Sequence, residues 1–129
     1  MRRLRIVALL ALFVASAAGA QTLKYQPSVV TLAGTLTSGI GEGPGGEKVV
    51  FPAIKLTVPV RVEPDADTRT EPEDGVSLIQ LVISSTATMA LYESLKEKPA
   101  TVTGTLFHSS SPEYHHTKVL VTVKEIDPQ

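Results

Sequence analysis

From Val29 to Leu36 the chain reads VVTLAGTL, with Val30, Leu32 and Leu36 set against Thr31, Ala33 and Thr35. A period of two puts alternate side chains on opposite faces, which is the pattern of a half-buried strand. The alternation returns at Ile54, Leu56, Val58, Val60 and Val62, and again over Val76–Ile83, where Ile79, Leu81 and Ile83 share a face. Pro59 has no N–H to give a ladder, so the second of these strands is expected at an edge or with a bulge. Thr101–Phe107 and Val119–Ile126 read as two more strands, the last with Val119, Val121 and Val123 on one side and Leu120 and Ile126 on the other. Between the third and fourth strands the period changes. Leu91, Tyr92 and Leu95 recur at helical spacing, Ser84–Thr88 offer capping hydroxyls and Pro99 closes the run, which predicts one helix over Thr86–Lys98.

The order β-β-β-α-β-β is that of a small five-stranded OB-like barrel, a Greek-key barrel with one short helix between strands 3 and 4. Strands that coil tightly need places without a side chain on the inner face, and Gly34 and Gly104 occupy matching places in two similar strands, AGTL and TGTL. The stretch from Gly39 to Gly46, with five glycines and a proline, is expected to be a flexible loop. It lacks the Gly-Lys-Ser/Thr ending of a phosphate cradle. The stretch from Glu63 to Asp74 holds six acids in twelve residues, and is expected to be a solvated loop. Arg69 stands where a Ca²⁺ loop would need an oxygen ligand.

Composition matters once the first twenty residues are set aside. MRRLRIVALLALFVASAAGA has three arginines, an apolar run and the small-x-small sequence Ala18-Gly19-Ala20, the pattern of a cleaved secretory signal peptide over residues 1–20. Its apolar run is too short for a permanent membrane helix, so the product is not expected to span a membrane. The expected product is a single domain over residues 21–129, periplasmic or secreted, with nine basic and thirteen acidic side chains and a net charge of −4. Such a charge disfavours a nucleic-acid partner. Of the apolar residues, fifteen fall in the leader, leaving 40 of 109, and there is no cysteine to staple the fold. Packing alone must hold it.

Candidate chemistry gathers near the last hairpin. His108, His115 and His116 are the chain's three histidines, and Phe107 and Tyr114 lie beside them. If His108 ends one strand and His115 begins the next, their rings meet across the hairpin mouth near Glu113. That set would suit Zn²⁺ or Cu²⁺ through imidazole nitrogens. Adjacent residues in extended backbone face opposite ways, so His115 and His116 do not both point at one ion unless the loop curls. With no cysteine nucleophile, no G-x-S-x-G elbow and Ser109–Ser111 in a polar loop, the chain is not expected to be an enzyme and needs no cofactor. The leading expectation is a non-catalytic binding or interaction module using Phe107, His108, Tyr114, His115 and His116 toward an unknown ligand or an envelope protein. The alternatives are a Zn²⁺- or Cu²⁺-binding protein with His108, His115 and His116 as ligands, and an exported inhibitor or immunity-type protein.

LKYQPSVVTLAGTL over Leu23–Leu36, the strand IKLTVPVRV, and TVTGTLF followed by HHTKVLVTVKEI resemble the bacterial exported family known as domain of unknown function 4431. The resemblance implies a secreted or periplasmic protein and supplies no mechanism. Lys118 stands where the family pattern has Pro, SSSPEY replaces a Gly-His-rich turn, and the frequent cysteines are missing.

Overall fold

All five segments with period two form strands, and their ends join in a ring. A computed structural model describes residues 21–65 and 69–129. The expected leader over residues 1–20, and Asp67 of the acidic stretch, lie outside the described residues. The elements are β1 (Thr22–Lys24), β2 (Val29–Glu42), β3 (Lys48–Glu63), β4 (Glu73–Val82), α1 (Thr86–Leu95), β5 (Pro99–His108) and β6 (Val119–Pro128). The sheet runs β1-β3-β2-β5-β6-β4, and β3 pairs with β4 as well, so β2 to β6 close on themselves. Antiparallel pairs make most of the ring, while Gln80–Val82 and Leu120–Thr122 pair in parallel. This is the OB-like barrel that the strand order predicts, with its helix between the third and fourth barrel strands.

Three expectations about the strands need correction. The sixth strand, β1, is too short to show a period. It is held by parallel pairing of Thr22–Lys24 with Arg61–Glu63 and by a 3.0 Å ion pair from Lys24 to Glu63. The glycine-rich stretch is mostly strand: β2 continues to Glu42, and the loop shrinks to a turn in which Gly43 N–H donates to the Glu47 carbonyl at 2.8 Å. Gly39 and Gly41 are there for space. A Cβ at Gly39 would collide with the Phe51 ring, and one at Gly41 with the His116 imidazole.

The third correction concerns β6. Thr103 pairs with Glu125 but Gly104 pairs with Val123, so Lys124 is an extra residue on β6. One inserted residue reverses the faces beyond it. Ile126 therefore joins Val119 and Val121 in the core, and does not share a face with Leu120. The bulge sits where Gly104 lets the strands approach, since a Cβ there would strike the Thr122 carbonyl; at Gly34 it would strike that of Lys55. The β3–β4 register also slips between Lys55 and Val60, around Pro59.

The helix is shorter than the sequence pattern suggests. Ser85 caps it, its hydroxyl accepting from Thr88 N–H at 3.0 Å. Glu97, at φ 67°, turns the chain left-handed; its N–H donates to the Leu36 carbonyl at 2.7 Å and Leu36 N–H donates to the Lys98 carbonyl at 3.1 Å, which returns the chain to the sheet. Tyr92 is buried and donates from its hydroxyl to the Thr37 carbonyl at 2.6 Å, Met89 and Leu95 pack against the core, and Leu91 is exposed. No helix among the described residues is long and apolar enough to cross a membrane.

Candidate binding cleft at the barrel rim

His108 is the last residue of β5, where pairing with Val119 holds its backbone, and Glu73 opens β4. The barrel brings the two together: His108 Nε2 lies 2.7 Å from Glu73 Oε2, with side chains only 22% and 15% exposed. The other ring nitrogen, Nδ1, lies 3.1 Å from the Ser109 carbonyl oxygen. Both nitrogens face oxygen acceptors, an arrangement that favours the doubly protonated ring. The Glu73 hydrogen bond raises the His108 pKa above its ordinary value, helped by the Ser109 carbonyl and by the charges of Glu73 and Glu71, and opposed by burial. Lys118 Nζ approaches the other Glu73 oxygen at 3.8 Å from an exposed position.

Tyr25 builds the adjoining wall. Its ring is buried and meets His108 edge-on with centroids 6.2 Å apart. The hydroxyl donates to the Glu71 main-chain carbonyl at 2.9 Å, tying the acidic stretch to the barrel. Burial first, then the charges of Glu73 and Glu71, push the phenol pKa up to about 12. Outside this wall is a cleft of about 310 Å³ lined by Tyr25, Gln26, Thr70, Phe107, His108 and Ser110.

The acidic stretch is therefore less solvated than its composition suggests. Glu63 ends β3 and Glu73 begins β4. Arg61 bridges Glu63 at 3.0 Å and Asp74 at 2.8 Å, while Glu73 is taken by His108. Glu71, Glu73 and His108 each offer one ligand atom within 4.8 Å of the others, which is the one such His/Cys/Asp/Glu group among the described residues.

The five residues singled out in the sequence divide. Phe107 and His115 pack edge to face with centroids 5.5 Å apart, beside His108. His115 Nδ1 accepts from the N–H groups of Ser110 and Ser111, at 2.9 and 3.1 Å, so its lone pair is spent on the loop. His116 goes elsewhere and stacks on Phe51 at 5.0 Å, under the β2–β3 arm. Tyr114 is 62% exposed. The three imidazoles thus have three separate sets of partners and do not gather around Glu113.

One buried residue explains that division. Gln80 in β4 accepts from His116 N–H at 2.7 Å through Oε1 and donates to the Tyr114 carbonyl at 3.1 Å through Nε2. Its own N–H donates to Thr117 Oγ1 at 3.0 Å. The β5–β6 connection is thereby pinned to the barrel. Gln80, Tyr25, Glu71 and Glu73 are the site residues that the sequence patterns missed. The one available signal was the i, i+2 spacing of Glu71 and Glu73, which puts both carboxylates on one face of extended backbone.

Gln80 and the residues of the last hairpin fall within one recognisable segment, with Glu71 and Glu73 before it. Residues 78–127 match the family model described as Domain of unknown function (DUF4431). It is the family that the sequence motifs resemble, and the matched span covers the second half of β4, then α1, β5, nearly all of β6 and every site residue from Phe107 to His116. No curated protein matches this chain. Among solved structures, the small single-stranded DNA-binding protein from Streptomyces coelicolor is similar over 79% of this chain and 94% of its own, at 16% identity and a TM-score of 0.41.

Proposed function

We propose that this chain is an exported, non-catalytic binding module, and that its recognition site is the cleft formed by Tyr25, Gln26, Thr70, Phe107, His108 and Ser110. One observation carries the reading: Tyr25, Phe107 and His108, the last hydrogen-bonded to Glu73 behind it, line one concavity together with the polar Gln26, Thr70 and Ser110. Sites for small ligands have this mixture of apolar wall and a few placed polar groups. The imidazoles nearest the cleft are already engaged: His108 is hydrogen-bonded to Glu73, and His115 Nδ1 accepts from the Ser110 backbone N–H. Export rests on the leader pattern, and the acidic balance of residues 21–129 argues against a polyanionic partner.

The test is amide-resolved NMR of the protein from Gln21 onward, titrated with a panel of dipeptides, disaccharides and small carboxylates. Shifts that cluster on Gln26, Phe107, His108 and Ser110, and vanish in Phe107→Ala, are expected. Shifts confined to the opposite end of the barrel would overturn the assignment. For export, N-terminal sequencing of the protein recovered from the envelope fraction should begin at Gln21; an intact Met1 would remove that part of the reading.

A further inference from the structure

We infer that Glu71, Glu73 and His108 form a divalent-cation site, for Zn²⁺ in the first instance, beside the cleft that His108 lines. The inference rests on the cleft being the binding site and names its ligand class. It differs from a site built of the three histidines, since two of its three ligands come from the start of β4 and the segment before it.

The chemistry of His108 supports it. With Nδ1 directed at the Ser109 carbonyl and Nε2 at a Glu73 oxygen, the neutral ring hydrogen-bonded to Ser109 would point a lone pair at a carboxylate. In that tautomer Nε2 is turned toward the carboxylate as a ligand atom, and an ion between them would be held by both. A backbone carbonyl on Nδ1 is also the outer contact that fixes a metal-binding imidazole, leaving Nε2 free to coordinate. Zn²⁺ takes imidazole nitrogen and carboxylate oxygen at about 2.0–2.2 Å, so two tetrahedral ligands stand roughly 3.3 Å apart. The Nε2–Oε2 pair at 2.7 Å needs to open by only about half an ångström to exchange its proton for the ion.

The third ligand is supplied by Glu71, whose main chain Tyr25 holds and whose carboxylate is exposed. Three protein ligands leave a tetrahedral ion one open position. Tyr25 packs against His108 on one side, and His108 itself lines the cleft, so an anionic group of a ligand held there would complete the shell. Lys118 competes for Glu73 at 3.8 Å, but its side chain is 80% exposed and swings into water at little cost.

Calorimetry on the purified, chelator-treated protein titrated with ZnCl₂ alone decides the matter. One ion per chain is expected, with the affinity falling at least tenfold in His108→Ala and in Glu73→Gln, and less in Glu71→Gln. His115→Ala and His116→Ala should bind as the parent does. Circular dichroism of each variant separates lost binding from lost folding, and Glu73→Gln, which keeps the side-chain shape, serves where His108→Ala unfolds. Absence of heat at 100 μM protein, or loss of binding in His115→Ala with His108→Ala unaffected, overturns the site. If zinc fails while NMR shifts from the organic panel still cluster at Phe107 and His108 in excess chelator, the cation site falls and the cleft stands.

Discussion

Replacing Gln80 with Leu removes the two side-chain hydrogen bonds that pin the β5–β6 connection while keeping most of the side chain's volume. Gln80 is 8% exposed, so the His116 N–H and the Tyr114 carbonyl lose partners that water reaches poorly. A buried polar group left unpaired costs about 1–3 kcal/mol. Two such groups set an upper bound, but the connection is exposed at Tyr114 and can swing outward, so the expected cost is about 2 kcal/mol in all. With an m of about 1.5 kcal/mol/M, the urea midpoint falls by about 1.3 M. The damage should also be local. Amide exchange at His116 rises toward that of a free loop, and the edge-to-face contact of His115 with Phe107 loosens, broadening the Phe107 resonances. Gln80's backbone N–H still donates to Thr117 Oγ1, so the start of β6 keeps its protection. A midpoint within 0.3 M of the parent, with unchanged exchange at His116, would refute the claim that Gln80 orders this connection.

Other consequences can be checked separately. The His108 pKa is raised in the fold, so the stability its contact with Glu73 contributes is fully present below the unfolded value near 6.5 and is lost as pH rises through the folded value. NMR titration of the ring should give a midpoint above the ordinary one that drops in Glu73→Gln; an ordinary midpoint in the parent would contradict the pairing. Gly104→Ala drives a Cβ into the Thr122 carbonyl, which belongs to backbone and cannot rotate away. Overpacking of this kind costs about 1–3 kcal/mol, and a thermal melt unchanged from the parent would show that the bulge at Lys124 absorbs it. Fluorescence anisotropy with an oligo-dT probe at 150 mM salt should show no binding, given the net charge of −4 over residues 21–129; micromolar binding would reopen the nucleic-acid reading.

How much of this was legible beforehand follows from the range of each interaction. Ser85 as a cap and Tyr92 as a buried helical residue depend on neighbours within a turn, and both stand in the chain as read. The faces of β2 from Val30 to Leu36, and of Ile54 and Leu56 in β3, follow from local alternation. Ile126 was misplaced because the bulge at Lys124 is caused by Gly104 on another strand. Gly39 and Gly41 spelled a loop in isolation, yet they serve as clearance for Phe51 and His116. The candidate site shows the same division. Phe107, His108 and His115 were legible as one cluster because a short hairpin brings them together, whereas Glu73, 35 residues from His108, was hidden in an acidic stretch that reads as solvent-facing.

By itself the sequence determined the strands, the helix between the third and fourth barrel strands, and therefore a small β barrel, since hydrophobic period and capping are properties of adjacent residues. The tertiary structure alone decided that β3 meets β4 to close the ring, that Gln80 sends His116 away from His108, and that Glu71 and Glu73 reach the histidine at the end of β5. Those meetings depend on register and on the curvature of a closed sheet. A shift of one residue in either turns a side chain to the opposite face, and no local pattern records it.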